Sequence, residues 1–107
     1  MTQFQFLSIS TEDGVSFLSI NRPPVNALGT QLLGELEQAT DELNAEPKTK
    51  VIVIVSAIPN VFIAGVDLKE MASLTTPEEI AKVIQKGQKD FNKIENSEKP
   101  VIAAIHG

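Results

Sequence analysis

The chain has no cysteine, no tryptophan and no tyrosine, and its one histidine is His106. Without cysteine there can be no disulfide, no thiolate nucleophile and no cysteine-ligated metal, which fits a reducing compartment. A single histidine cannot supply a histidine-rich metal site, and no metal is expected. Apolar runs are short, well under the ~20 residues that a membrane span requires. The N-terminus, Met1-Thr-Gln-Phe-Gln-Phe6, lacks the basic and apolar regions of a secretory leader. A soluble, cytoplasmic protein is therefore expected. Positive charge is also scarce: 9 Lys and Arg against 14 Asp and Glu give a net charge of −5, which argues against nucleic acid as the main partner.

What is present suits one small mixed α/β unit, residues 1–107. A 42% hydrophobic content in 107 residues suffices for a core. Phe4–Ser10 and Val15–Ile20 read as antiparallel strands joined at Asp13-Gly14, two residue types that tolerate positive φ. Pro23-Pro24 blocks both ladder and helix, so residues 21–28 form a loop. Asn26 is expected to brace that loop through backbone hydrogen bonds.

Leu32, Leu36, Ala39 and Leu43 recur at helical spacing and predict a helix over residues 30–45, with Glu35, Glu37, Asp41 and Glu42 facing water. Gly34 inside it costs ~1 kcal/mol relative to alanine unless a neighbour packs close. Val51–Val55 is continuously β-branched, as in a strand covered on both faces. A second long helix starts at Thr76-Pro-Glu-Glu79, where Thr76 caps and Glu79 completes a capping box. Ile80, Val83, Ile84, Gly87, Phe91 and Ile94 form its apolar face. Lys82, Lys86, Lys89 and Lys93 form a cationic side, read as a solvated face that could also attract phosphate. Pro100–Gly107 predicts another buried strand.

The most informative stretch is Asn60-Val-Phe-Ile-Ala-Gly-Val-Asp-Leu68. An apolar run enters Gly65, and Asp67-x-x-Glu70 then opens a short helix through a capping-box pattern. Glycine there would let the next amides turn outward together. Unpaired N–H groups at a helix start can hold a carbonyl oxygen as it becomes an oxyanion. An ordinary strand–turn–helix connection has the same spacing. In this setting Asp67 and Glu70 read better as capping residues than as catalytic carboxylates. His106, at the end of an apolar strand, reads as a packed, hydrogen-bonded side chain and not as a base.

Three segments in order carry a resemblance. Asn21-Arg-Pro-Pro-Val-Asn-Ala-Leu28, Phe62-Ile-Ala-Gly-Val-Asp-Leu-Lys-Glu-Met71 and Lys99-Pro-Val-Ile-Ala-Ala-Ile-His-Gly107 resemble the first coenzyme A loop, the oxyanion segment and the following strand of the crotonase, or enoyl-CoA hydratase/isomerase, superfamily. The resemblance covers essentially the whole chain and implies a crotonase-like spiral of strand–strand–helix repeats, truncated to its N-terminal half. It implies an enzyme that binds acyl-CoA thioesters and stabilises a thioester enolate through two backbone N–H groups.

By the same resemblance the first donor is Val66, and Ala27, Leu28, Ala64, Gly65, Val66, Asp67, Leu68 and Lys69 contact substrate. The second donor and the acidic catalytic residues fall after Gly107, so the chain itself should be inactive. Coenzyme A is part of the substrate, and no separate cofactor is implied. Homotrimers or pairs of trimers are implied for the full-length parent. The compact Pro-Pro-Val-Asn-Ala-Leu form, without the lysine often found there, looks more like the hydratase/isomerase halves of multifunctional fatty-acid oxidation subunits or like enoyl-CoA isomerases. That leaves open enoyl-CoA hydratase of fatty-acid β-oxidation or enoyl-CoA isomerase. Intact binding-loop residues beside an absent second half leave open a non-catalytic acyl-CoA-binding or assembly module.

Overall fold

The computed structural model describes residues 3–65 and 67–106, with Leu68 described in its backbone. The order is β1 (Leu7–Glu12), β2 (Val15–Ile20), α1 (Thr30–Ala45), β3 (Val51–Ser56), α2 (Leu68–Ala72), α3 (Pro77–Glu95) and β4 (Val101–Ala103). The four strands form one mixed sheet in sequence order. β1 runs antiparallel to β2, and the β2–β3 and β3–β4 pairs are parallel. The first strand begins at Leu7 instead of Phe4 and runs on to Glu12, which pairs with Val15. The two residues left between them, Asp13 (φ 51°) and Gly14 (φ 84°), both take positive φ. That backbone matches the right-handed twist of a two-residue hairpin.

Alternation along β2 and β3 buries Ser16, Leu18, Ile20, Ile52 and Ile54. Leu32, Leu36, Ala39 and Leu43 of α1 join them in the core, as their spacing predicts. The buried hydroxyls of Ser16 and Thr49 satisfy each other at 2.7 Å. Lys99 closes the C-terminal end of α1, its Nζ donating to the carbonyls of Leu43 and Glu46 at 2.6 Å each. Free carbonyls at a helix end are favourable sites for a cation.

Several expectations need correction. β3 is buried on one face only, since Val51, Val53 and Val55 keep partial exposure. β4 is three residues long and mostly exposed, with Ile102 at 53% and the following Ile105 at 75%. It pairs with β3 alone among the described residues, so its other edge and one face lack cover. On α3, Ile84 (58%) and Phe91 (45%) are exposed, whereas the residue fully buried is Asp90.

The α3 lysines are not simply solvated. Lys93 donates to Glu37 at 2.6 Å, and Lys86 sits 3.6 Å from Glu37 and 2.7 Å from Asp90. Glu37 is therefore a half-buried cross-helix partner, not a water-facing residue. Glu35, likewise half-buried, accepts from the backbone N–H of Phe6 at 2.9 Å. Thr76 caps α3 as expected, but Glu79 reaches back to Thr75, one residue before the cap.

Candidate functional site

Two segments meet beyond the C-terminal ends of β2 and β3. The first, residues 21–29, is folded on itself by Asn26, which is fully buried with φ of 54°. Its backbone N–H donates to the Arg22 carbonyl, and its Oδ1 accepts from the Arg22 N–H at 2.7 Å. Its Nδ2 donates to Ser56 Oγ at 2.9 Å and to the Phe62 carbonyl at 2.8 Å. One asparagine thus fixes its own loop and binds it to the end of β3 and to the second segment. The expected bracing role holds and extends further than its own turn. The Pro23–Pro24 peptide within the loop is cis.

The second segment turns at Gly65, whose φ of +115° lies in the region that favours glycine, although a side-chain carbon at this position would meet only open space. Three backbone bonds lace the two segments together. Ala64 N–H donates to Val25 O at 3.1 Å, Leu28 N–H to Gly65 O at 2.6 Å, and Asp67 N–H to Leu28 O at 2.7 Å. The expectation that successive amides after Gly65 turn outward fails at Asp67, whose amide is spent on Leu28.

Asp67 acts as the cap its sequence position predicts. Oδ1 accepts from the N–H groups of Lys69 at 3.0 Å and Glu70 at 3.2 Å. Oδ2 accepts from Arg22 at 2.5 Å. The Arg22 hydrogen bond, reinforced by the Glu70 amide, holds the Asp67 carboxyl below the usual aspartate range. An anion so fully engaged is poorly suited to general acid or base work. Only half of the capping box forms, because the Glu70 carboxylate turns away to Thr30 at the start of α1, accepting from its N–H at 3.0 Å and from its hydroxyl.

Between the segments lies a groove of about 370 Å³ lined by Arg22, Pro23, Pro24, Val25, Ala27, Ala64, Asp67 and Lys69. Of the residues the sequence singles out, Ala27, Ala64, Asp67 and Lys69 line it, and Gly65 contributes its anchored turn. Leu28 lines instead a second cavity of about 260 Å³, shared with Leu33, Met71, Val83, Ile84 and Phe91. Val66 lies outside the described residues, as does the Leu68 side chain. His106 is exposed and away from the groove, with Nε2 3.1 Å from the Ile58 carbonyl. The sequence reading missed Arg22, which lines the groove; nothing in the spacing pairs it with Asp67.

Among the described residues no group of three or more metal-ligating side chains occurs, and no helix is long and apolar enough to cross a membrane.

The family model for enoyl-CoA hydratase/isomerase matches residues 10–107. The chain is 36% identical to a probable enoyl-CoA hydratase of Bacillus subtilis over 94% of its own length and 39% of that protein's. It is 40% identical to the mitochondrial methylglutaconyl-CoA hydratase of Mus musculus, covering 88% of the chain and 30% of that protein. A solved enoyl-CoA hydratase of Bacillus anthracis superposes with a TM-score of 0.87 at 32% identity, over 96% of this chain and 40% of that one. The chain therefore spans about two fifths, or less, of the length of these relatives. With the laced loop and turn where the first two sequence segments put them, and a match over nearly its whole length, the chain belongs to the enoyl-CoA hydratase/isomerase family and has the N-terminal part of the crotonase fold.

Proposed function

We propose that the protein carrying this chain is an enoyl-CoA hydratase of fatty-acid β-oxidation, adding water across the α,β double bond of a 2-enoyl-CoA. The single observation that carries this reading is the laced groove, built by the two segments that resemble the family's coenzyme A loop and oxyanion segment. Ala27, Ala64, Asp67 and Lys69 form the groove that takes the coenzyme A portion, with Lys69 as the cation nearest the pantetheine or phosphates. The Gly65 carbonyl is pinned by Leu28. The Val66 N–H, the next donor along the chain, is assigned to the thioester oxygen as it gains charge, as the family resemblance implies.

Asp67 and Glu70, the carboxylates beside the groove, are both committed as helix caps. The carboxylates for proton transfer and the second oxyanion donor are then proposed to come from the rest of the parent, as the resemblance implies. On this reading the 107-residue chain alone binds without turning over, and the parent works in the cytoplasm as homotrimers or pairs of trimers without a separate cofactor. The same commitment of the two carboxylates favours, as the second reading, a non-catalytic acyl-CoA-binding module. Isomerisation of the double bond would use the same enolate site.

The test is hydration of crotonyl-CoA by the full-length parent, with Val66→Pro as the variant that removes the proposed donor N–H. Because proline also fixes its own φ and restricts Gly65 before it, retained acetyl-CoA binding is the control for an intact turn. Losing one oxyanion donor is expected to lower turnover about 10²–10³-fold, with binding of acetyl-CoA retained. Binding without any turnover by the unmutated parent would favour the module reading, and Val66→Pro turnover within tenfold of the parent's would remove Val66 from the mechanism.

A further inference from the structure

The guanidinium of Arg22 is the point where three separate segments meet. Nη1 donates to the Ala27 carbonyl at 2.6 Å, inside the first loop. Nη2 donates to Asp67 Oδ2 at 2.5 Å, on the cap of α2. Its central carbon, Cζ, lies over the ring of Phe6, 5.3 Å from the centroid, just before β1. The pair is not deeply buried, with side-chain exposures of 26% for Arg22 and 13% for Asp67. Partial burial leaves the pair some worth to folding, but that worth would not by itself call for a fork shared between two acceptors. The fork instead fixes a distance, that between the loop wall of the groove and the helix cap which follows the Gly65 turn.

Resting on the acyl-CoA reading above, we propose that Arg22 is a positioning residue for the thioester site: its fork holds Ala27 and Asp67 in register, so that the turn between Gly65 and Asp67 keeps one geometry while substrate is bound. Leu28 pins the turn at both ends through backbone bonds, and Asp67 is the only one of its residues whose side chain is also tied to the loop among the bonds described. Because a rigid planar fork satisfies two acceptors in fixed directions and a lysine ammonium does not, the two cations are distinguishable at this position.

The experiment measures kcat and KM of the full-length parent with crotonyl-CoA, alongside Arg22→Gln, Arg22→Lys, Asp67→Asn and the Arg22→Gln/Asp67→Asn double variant, each normalised to folded protein. Arg22→Gln is expected to lower kcat about 10- to 100-fold, the scale of a small misplacement of reacting groups, with KM changed less than threefold. Arg22→Lys should recover part of the loss, and the double variant should be no worse than the poorer single one, as for residues acting as a unit. If Arg22→Gln does not fold, Arg22→Lys carries the test, with a kcat loss of at least threefold expected. A raised KM with unchanged kcat would make Arg22 a direct substrate contact, and a kcat within twofold of the parent's would make it merely structural; either result overturns the proposal. No turnover and no acetyl-CoA binding by the unmutated parent would instead remove the underlying reading and this inference with it.

Discussion

The carboxylate of Glu70, in α2, caps the N-terminus of α1 by accepting from the backbone N–H of Thr30 at 3.0 Å. The N-cap residue of α1 is Gly29, which has no side chain to do this. The first N–H groups of a helix have no partner within it, and a negative charge there also meets the positive end of the helix dipole. Glu70→Ala is expected to destabilise the protein by about 1 kcal/mol in urea unfolding. Glu70→Gln, which keeps an acceptor and loses the charge, should cost about half as much. Equal losses in the two variants would show that the charge carries the whole effect and a neutral acceptor none; no loss in Glu70→Gln would show that the charge contributes nothing.

Gly29 is the residue that makes room for this contact. A side-chain carbon there would stand 2.6 Å from Glu70 Oε2, 3.0 Å from Arg22 Nη1 and 3.3 Å from Asp67 Oδ2. Two of those atoms end long side chains and the third a short one, but each is held by a hydrogen bond, so yielding means giving up one of those bonds. Gly29→Ala should therefore cost about 1–3 kcal/mol, and at this N-cap position, with its extended backbone, alanine has no helix propensity to offset the loss. In a double-mutant cycle with Glu70→Ala the two losses should fall short of their sum, because one of the clashing groups has gone. Strict additivity would place the damage elsewhere.

Gly34 gives the opposite expectation within the same helix. Nothing lies within 4 Å of a side-chain carbon built on it, and it sits in the interior of α1. No neighbour demands its smallness, so Gly34→Ala should raise stability by about 0.5–1 kcal/mol. Circular dichroism melts of the two proteins decide it. A loss would point to a partner for this face outside the described residues.

How far the chain was legible depended on whether a residue acts within its own segment. Thr30–Ala45, Asp13-Gly14, Asp67 as a cap and Thr76 as a cap are local features, set by periodicity or by side chains reaching two or three residues along. They appear where the sequence puts them. The groove residues Ala27, Ala64, Asp67 and Lys69 were reached through resemblance, and the structure brings them together. What was not legible is non-local. Glu70 and Glu79 satisfy the capping-box spacing, but their carboxylates bond to Thr30 and Thr75; the Asp67 N–H that Glu70 would have taken is already spent on the Leu28 carbonyl. β-branched Val51–Val55 predicts cover on two faces, yet cover depends on what packs there. Asp90 looks like any polar residue of an amphipathic helix, and only the approach of α1 to α3 turns it into the buried member of a charge cluster.

That cluster gives the fold a pH signature. Glu37 on α1 accepts hydrogen bonds from Asp90 and from Lys93, with Lys86 close by, and these lower its pKa from the ordinary 4.5 to about 2. Asp90 moves the other way, raised by burial and by the adjacent Glu37 carboxylate, so it keeps its proton where an ordinary aspartate has lost it. Asp41 on α1, 3.7 Å from Lys93, completes the charged groups of the cluster. A depressed carboxylate pKa stabilises the folded state above the unfolded value and loses that contribution as pH falls through the folded one. Glu37→Gln should thus cost about 1–2 kcal/mol at pH 7, after allowing for solvent screening, and the gap from wild type should close as pH drops from 4.5 towards 2. A raised pKa has the reverse effect: the Asp90 contribution is complete below 3.8 and declines as pH rises through the raised value. Asp90→Asn, which still donates to Glu37 but does not ionise, should therefore gain on wild type as pH rises above 3.8. Urea unfolding of the three proteins from pH 3 to pH 7 separates these slopes. A Glu37→Gln gap that is the same at pH 3 and pH 7, or an Asp90→Asn variant that loses ground on raising the pH, would mean that the two carboxyls do not share a proton across the α1–α3 interface.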